Sequence, residues 1–96
     1  MTALMNLILS DPTLIEHVKY QTDELCMTSV CADGMTLKHV RFLTDDIIMA
    51  ALQQNGRAIQ FIHPSQRTEA FCRAAVKQSM AAAIYIPAPV FAIIFS

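Results

Sequence analysis

Three histidines and three cysteines are the side chains of this 96-residue sequence best suited to chemistry. Cysteine and histidine in close pairs hold zinc, and a cysteine beside a histidine is a nucleophile. Neither arrangement is present. Cys26, Cys31 and Cys72 form no Cys-x-x-Cys motif and no Cys/His pair, and no serine or cysteine has a histidine and a carboxylate placed by a recognisable motif. The expectation is a chain with no catalytic residue, no metal site and no cofactor. An odd cysteine count argues against a disulfide framework and for thiols in a reducing, cytoplasmic compartment. Delivery into a host cell is compatible with the same composition.

The elements that must carry these residues follow from an internal repeat. Thr22-Asp23-Glu24-Leu25-Cys26, Thr44-Asp45-Asp46-Ile47-Ile48 and Thr68-Glu69-Ala70-Phe71-Cys72 align at spacings of 22 and 24. Apolar or small residues recur in the same places: Leu25, Ile47 and Phe71; Cys26, Ile48 and Cys72; Ser29, Ala51 and Ala75; Val30, Leu52 and Val76. Within a unit they stand at i, i+1, i+4 and i+5, one face of an α-helix. Each threonine is a suitable N-cap, and the acidic residues behind it suit the positive end of the helix dipole.

Gly34 and Gly56 occupy one position, twelve residues after Thr22 and Thr44. That position predicts a left-handed helix stop. A second, shorter helix follows each, with Leu37, Val40 and Phe42, then Ile59 and Ile62, then Ala83 and Ile86 on its apolar side. Ile15-Glu16-His17-Val18-Lys19-Tyr20 matches Leu37-Lys38-His39-Val40-Arg41-Phe42, so a first unit precedes the other three, with Pro12 in the glycine position. The predicted fold is all-α: tandem helix-hairpin repeats, about four units and about eight short helices, in a small compact α-solenoid-like bundle. The units run about 1–21, 22–43, 44–67 and 68–86, with an apolar tail at 87–96.

The run from Thr44-Asp45-Asp46-Ile47-Ile48 through Ala51-Leu52 and Asn55-Gly56 to Ala58-Ile59-Gln60-Phe61-Ile62 resembles the helical repeats of domain of unknown function 4116. Ala75-Val76-Lys77-Gln78 continues the likeness, whereas Ser79-Met80 departs from the Asn-Gly pattern. The resemblance covers Thr22 to about Ile86. It implies tandem all-α repeats and carries over no catalytic residue.

The repeat also accounts for most side chains that suggest a site. His17 and His39 share a position with Phe61 and Tyr85, which predicts a half-buried packing position. His63, before Pro64, is expected to close a helix. Cys26 and Cys72 fall where Ile48 packs, while Cys31 aligns with Gln53 and Lys77 and is expected to be the exposed, more reactive thiol. Seven basic and eight acidic residues leave a net charge of −1, which disfavours nucleic acid and an acidic membrane surface as partners.

Asp23, Glu24, Asp45, Asp46 and Glu69 sit in first helical turns, where dipole compensation explains them. Lys19, Lys38 and Arg41, expected with Arg57 on a basic ridge of second helices, are less well explained and are candidate binding residues. The tail adds Val90, Phe91, Ile94 and Phe95, which with Ile93 must be covered by their own repeats or by a second molecule. The start lacks the basic region of a signal peptide, and the uncharged stretch from Ser79 to Ser96 is divided by Pro87 and Pro89. The expected function is a non-enzymatic protein-interaction module, an inhibitor, adaptor or effector that binds another protein. The alternatives are self-association through the tail, as in a homodimer, and a tail-anchored membrane protein.

Overall fold

In the computed structural model, which describes residues 2–95, the threonines open helices as their sequence context requires. After α1 (Thr2–Ser10) come α2 (Asp23–Ala32), α3 (Asp45–Gln54) and α4 (Glu69–Gln78). The Thr22, Thr44 and Thr68 hydroxyl oxygens accept from the N–H groups of Leu25, Ile47 and Phe71 at 3.1, 3.2 and 3.3 Å. Each bond satisfies a first-turn donor that has no partner within its helix.

One residue then turns the chain. The N–H groups of Asp11, Asp33, Asn55 and Ser79 donate to Leu7, Ser29, Ala51 and Ala75 and finish the α-helices. Three of the same four residues begin the next element with their side chains: Asp11 accepts from Thr13 N–H, Asp33 from Met35 N–H and Asn55 from Arg57 N–H, at 3.2, 3.0 and 3.0 Å. Their backbone is extended, with φ between −146° and −152°. A residue that is at once C-cap and N-cap leaves no loop between the two helices of a unit.

The second helices are 3₁₀ rather than α: η1 (Pro12–His17), η2 (Gly34–His39), η3 (Gly56–Phe61), a short η4 (Pro64–Gln66) and η5 (Met80–Tyr85). Ile15, Leu37 and Ile59 are buried within their 3₁₀ helices, and Val18, Val40 and Ile62, three residues on, cap them. Phe42, expected on this apolar side, lies beyond η2 and is 80% exposed. The β-branched residues Val18, Val40, Ile62 and Ile86 each terminate a 3₁₀ helix in extended conformation.

The fold is all-helical and has two layers. Consecutive α-helices α1 to α4 pack side by side, η1, η2, η3 and η5 do the same, and the α layer packs on the 3₁₀ layer. The result is a ribbon of 48 × 20 × 16 Å, a shape compatible with a short solenoid. A single core runs between the layers and contains Ile15, Leu25, Val30, Leu37, Ile47, Leu52, Ile59 and Cys72. In the second unit the buried pair Ser29 and Thr36 replaces the alanines of later units. Ser29 Oγ lies 2.9 Å from the Pro12 carbonyl oxygen and 2.7 Å from Thr36 Oγ1, which donates to the Asp33 carbonyl.

Gly34 and Gly56 do not have the expected left-handed backbone; neither has a positive φ. They are required by the closeness of the next unit. A Cβ on Gly34 would stand 2.5 Å from the Ala51 carbonyl oxygen, and one on Gly56 would stand 2.9 Å from the Ala75 carbonyl carbon. The approach also makes a joint: Gly34 N–H donates to Gln54 Oε1 at 2.6 Å and Gly56 N–H to Gln78 Oε1 at 2.5 Å. Pro12, in the same position, has no N–H, and the residue that would face it, Ala32, has no side-chain acceptor. Met80 holds the position in the last unit and is 65% exposed.

A second set of joints lies between units at the 3₁₀ ends. Gln21 Nε2 donates to the carbonyls of Ile15 and His39, both at 2.9 Å. Arg67, the equivalent residue two units later, donates to Ile62, Tyr85 and Gln60 carbonyls at 3.1, 2.7 and 3.3 Å. The tail forms α5 (Ala88–Ile94), which packs on α4. No helix among the described residues is long and apolar enough to cross a membrane.

Candidate interaction surface

The side chains with chemical potential are dispersed by the repeat. Among the described residues no three His, Cys, Asp or Glu groups are gathered to hold a metal ion. Glu16 lies between two histidines, 3.1 Å from His39 Nδ1 and 3.6 Å from His17 Nε2, and joins the first unit to the second. His39, Phe61 and Tyr85 are half-buried as expected of their shared position, whereas His17 is exposed. His63 does not close a helix. It opens η4, its Nδ1 accepting from Ser65 N–H at 3.1 Å, because Pro64 at the first position directs the chain into a new turn.

Cys26 and Cys72 are buried and Cys31 is exposed. Burial pushes both buried thiols above the ordinary thiol value; Asp23 adds to the shift at Cys26 while Arg41 opposes it, and Arg67 opposes it at Cys72. Cys31 borders a shallow apolar groove with Leu9, Met27 and Ala32.

The basic residues do not form the expected ridge on the second helices. Lys38 and Arg57 lie in η2 and η3, but Lys19 and Arg41 lie in the bends that follow η1 and η2. Arg41 ties two units together, its Nη2 donating to the carbonyls of Val18 and Lys19 at 2.6 and 2.7 Å. Lys38 Nζ stands 5.9 Å from the centre of the Phe61 ring and Lys19 Nζ stands 5.5 Å from that of Tyr20. Neither ammonium has a carboxylate partner among the described residues.

What these bends expose is aromatic. Tyr20 and Phe42 are equivalent residues of consecutive units, each following a basic residue, and they are 78% and 80% exposed. Aromatic side chains are normally buried, which is why Phe42 is expected on the apolar side; the signal that separates it from core positions is that it breaks the three-residue spacing of Leu37 and Val40. Beside Tyr20 a groove of about 450 Å³ opens between α1 and η1, lined by Leu4, Leu7, Leu14, His17, Val18, Lys19 and Tyr20.

At the other end, the candidate tail residues divide. Val90 and Ile94 pack against the core, so half of the tail covers its own repeats. Phe91 and Phe95 are 43% and 41% exposed, their ring centroids 4.6 Å apart. Ser96, the last residue of the expected tail, lies outside the described residues, as does Met1 of the first unit. No family model, no curated protein and no solved structure matches the chain.

Proposed function

We propose that this chain is a non-enzymatic protein-interaction module that acts by covering or bridging a partner protein, as an inhibitor, adaptor or effector does. One observation carries the reading: Tyr20 and Phe42 stand in equivalent bends, each beside a basic residue, with most of their surface in water. Large aromatic side chains held in the open cost apolar hydration in the free protein, and residues of this type anchor protein interfaces. The three free thiols support placement in a reducing compartment. The likeness of Thr44 to Ile62 to the repeats of domain of unknown function 4116 implies tandem all-α repeats and assigns no chemistry.

The test is affinity capture under reducing conditions with cross-linking to identify contacts. A partner cross-linked beside Phe42 and lost from Phe42→Ala and from the Tyr20→Ala/Phe42→Ala pair, with the melting temperature unchanged, is the expected result. Capture that is indifferent to both substitutions removes the reading.

A second reading, self-association, is favoured by the exposed Phe91 and Phe95 pair together with Met80 and Ile84 nearby in sequence. Light scattering on the full chain and on Phe91→Ser/Phe95→Ser distinguishes it: a monomer mass in both excludes it.

A further inference from the structure

We propose that the groove between α1 and η1 binds a peptide segment of a partner protein in which apolar side chains stand next to a carboxylate. The proposal rests on the reading of the chain as an interaction module and names the chemistry of the partner at one site.

The groove has the attributes of a peptide site rather than of an unfilled packing defect. Its walls come from two elements already held in place. α1 is anchored to the core by Ile8 and Met5, and η1 by Ile15 and by the Asp11 cap. Leu4 and Leu7 project from the same helix without being needed for that anchoring, and Leu7 is 54% exposed. The groove is open rather than enclosed, with a volume of about 450 Å³.

Charge decides what fits. Among the described residues no acidic side chain lines the groove, and the carboxylate nearest in sequence, Glu16, lies 3.6 Å from His17 Nε2 and 3.1 Å from His39 Nδ1 and forms no ion pair with Lys19. Lys19 lines the groove, its Nζ stands 5.5 Å from the centre of the Tyr20 ring, and it forms no ion pair among the described residues. A leucine-like side chain placed on Leu4, Leu7 and Leu14, with a carboxylate within reach of Lys19, complements the apolar walls and the cation. Residues 79–96 of a second copy offer no Asp or Glu side chain to Lys19.

The experiment measures fluorescence anisotropy of short labelled peptides with the full chain. One probe carries two leucines four apart among glutamates and alanines, the second replaces glutamate by lysine, and the third replaces leucine by alanine. The expected result is binding of the leucine–glutamate probe, about two- to five-fold weaker binding of the leucine–lysine probe at low salt, and none of the leucine-free probe. Lys19→Glu should invert the order of the first two, and Leu7→Glu should abolish both while circular dichroism remains that of the native chain. Equal binding of both leucine probes, insensitivity to Lys19→Glu, or absence of any binding overturns the proposal.

Self-association lost in Leu7→Glu, with no peptide bound, assigns the groove to a second copy and also overturns it. A native partner that is lost from Phe42→Ala but retained by Leu7→Glu and Lys19→Glu leaves the interaction reading standing and removes this site alone.

Discussion

Replacing Gly56 by alanine tests the way the units are held together. The added Cβ points into the backbone of α4, inside contact distance of the Ala75 carbonyl oxygen and 2.9 and 3.1 Å from the Ala75 carbonyl carbon and Cα. That carbonyl is also the acceptor for Ser79 N–H at 2.9 Å, so the neighbour that must yield is a helix end in use and not a flexible side chain. Forcing a methyl group into a packed seam costs about 1–3 kcal/mol. Displacing the seam also weakens the bond from Gly56 N–H to Gln78 Oε1, a loss of about 1 kcal/mol. Against this, alanine restricts the unfolded chain and returns about 0.4–1 kcal/mol where the backbone angle suits it, as it does here.

The net loss is about 1–3 kcal/mol. A domain of this size should then melt roughly 5–20 °C lower. Circular dichroism melts and urea midpoints are the assay, with Gly34→Ala expected to shift in the same direction. Met80→Ala, at the equivalent exposed position, should stay within about 0.5 kcal/mol of the native chain. Gly56→Ala melting at or above the parent refutes the close-approach argument. So does a Gly56→Asn variant as stable as the parent, since asparagine suits a left-handed turn but not a crowded seam.

Gln78→Ala removes the acceptor from the Gly56 N–H and should cost about 1 kcal/mol by urea unfolding, while Gln53→Ala on the exposed side of α3 should cost little. Thr44→Ala should cost about 1 kcal/mol through the lost cap to Ile47, read by the same assay. Because Cys26 and Cys72 are held above the ordinary thiol value of 9.0, thiolates form first in the unfolded chain. Their contribution to stability is fully present below that pH and is lost as pH rises above it. The parent should therefore lose more stability between about pH 8 and about pH 10 than a Cys26→Ala/Cys72→Ala chain does. Thiol labelling of the native protein should modify Cys31 first, and equal rates at all three would contradict the packing.

The features legible in the sequence are those whose causes lie within a few residues. Thr22, Thr44 and Thr68 cap the helix that follows them, and the partner N–H is three positions away. The burial of Cys26 and Cys72 follows from the isoleucine in the equivalent position. Gly34 and Gly56 suggest a left-handed turn that they do not make because their cause is remote: the carbonyl that excludes a side chain at Gly56 belongs to Ala75, in the next unit. Asp11, Asp33 and Asn55 do carry a local signal for the junction between helices, a polar cap directly before each Gly or Pro.

The candidate surface shows the same division. Lys19 is a cation at a groove with no carboxylate partner among the described residues, whereas Arg41, equivalent to it in repeat position, is occupied by the carbonyls of the preceding unit. Nothing within the sequence neighbourhood of either residue distinguishes them.

The pairing of Gly with Gln at two seams, and of Pro with Ala at the first, has a consequence for how such a chain changes in length. Each seam is encoded by two residues about one unit apart, so an in-frame duplication of residues 44–67 would give every new glycine a new glutamine to bind. Moving the second unit behind the third would instead bring Ala32 against Gly56 and strand its N–H. Growth by copying an interior segment is thus open to this architecture while shuffling is closed, and a lengthened descendant would keep its N-terminal groove unaltered.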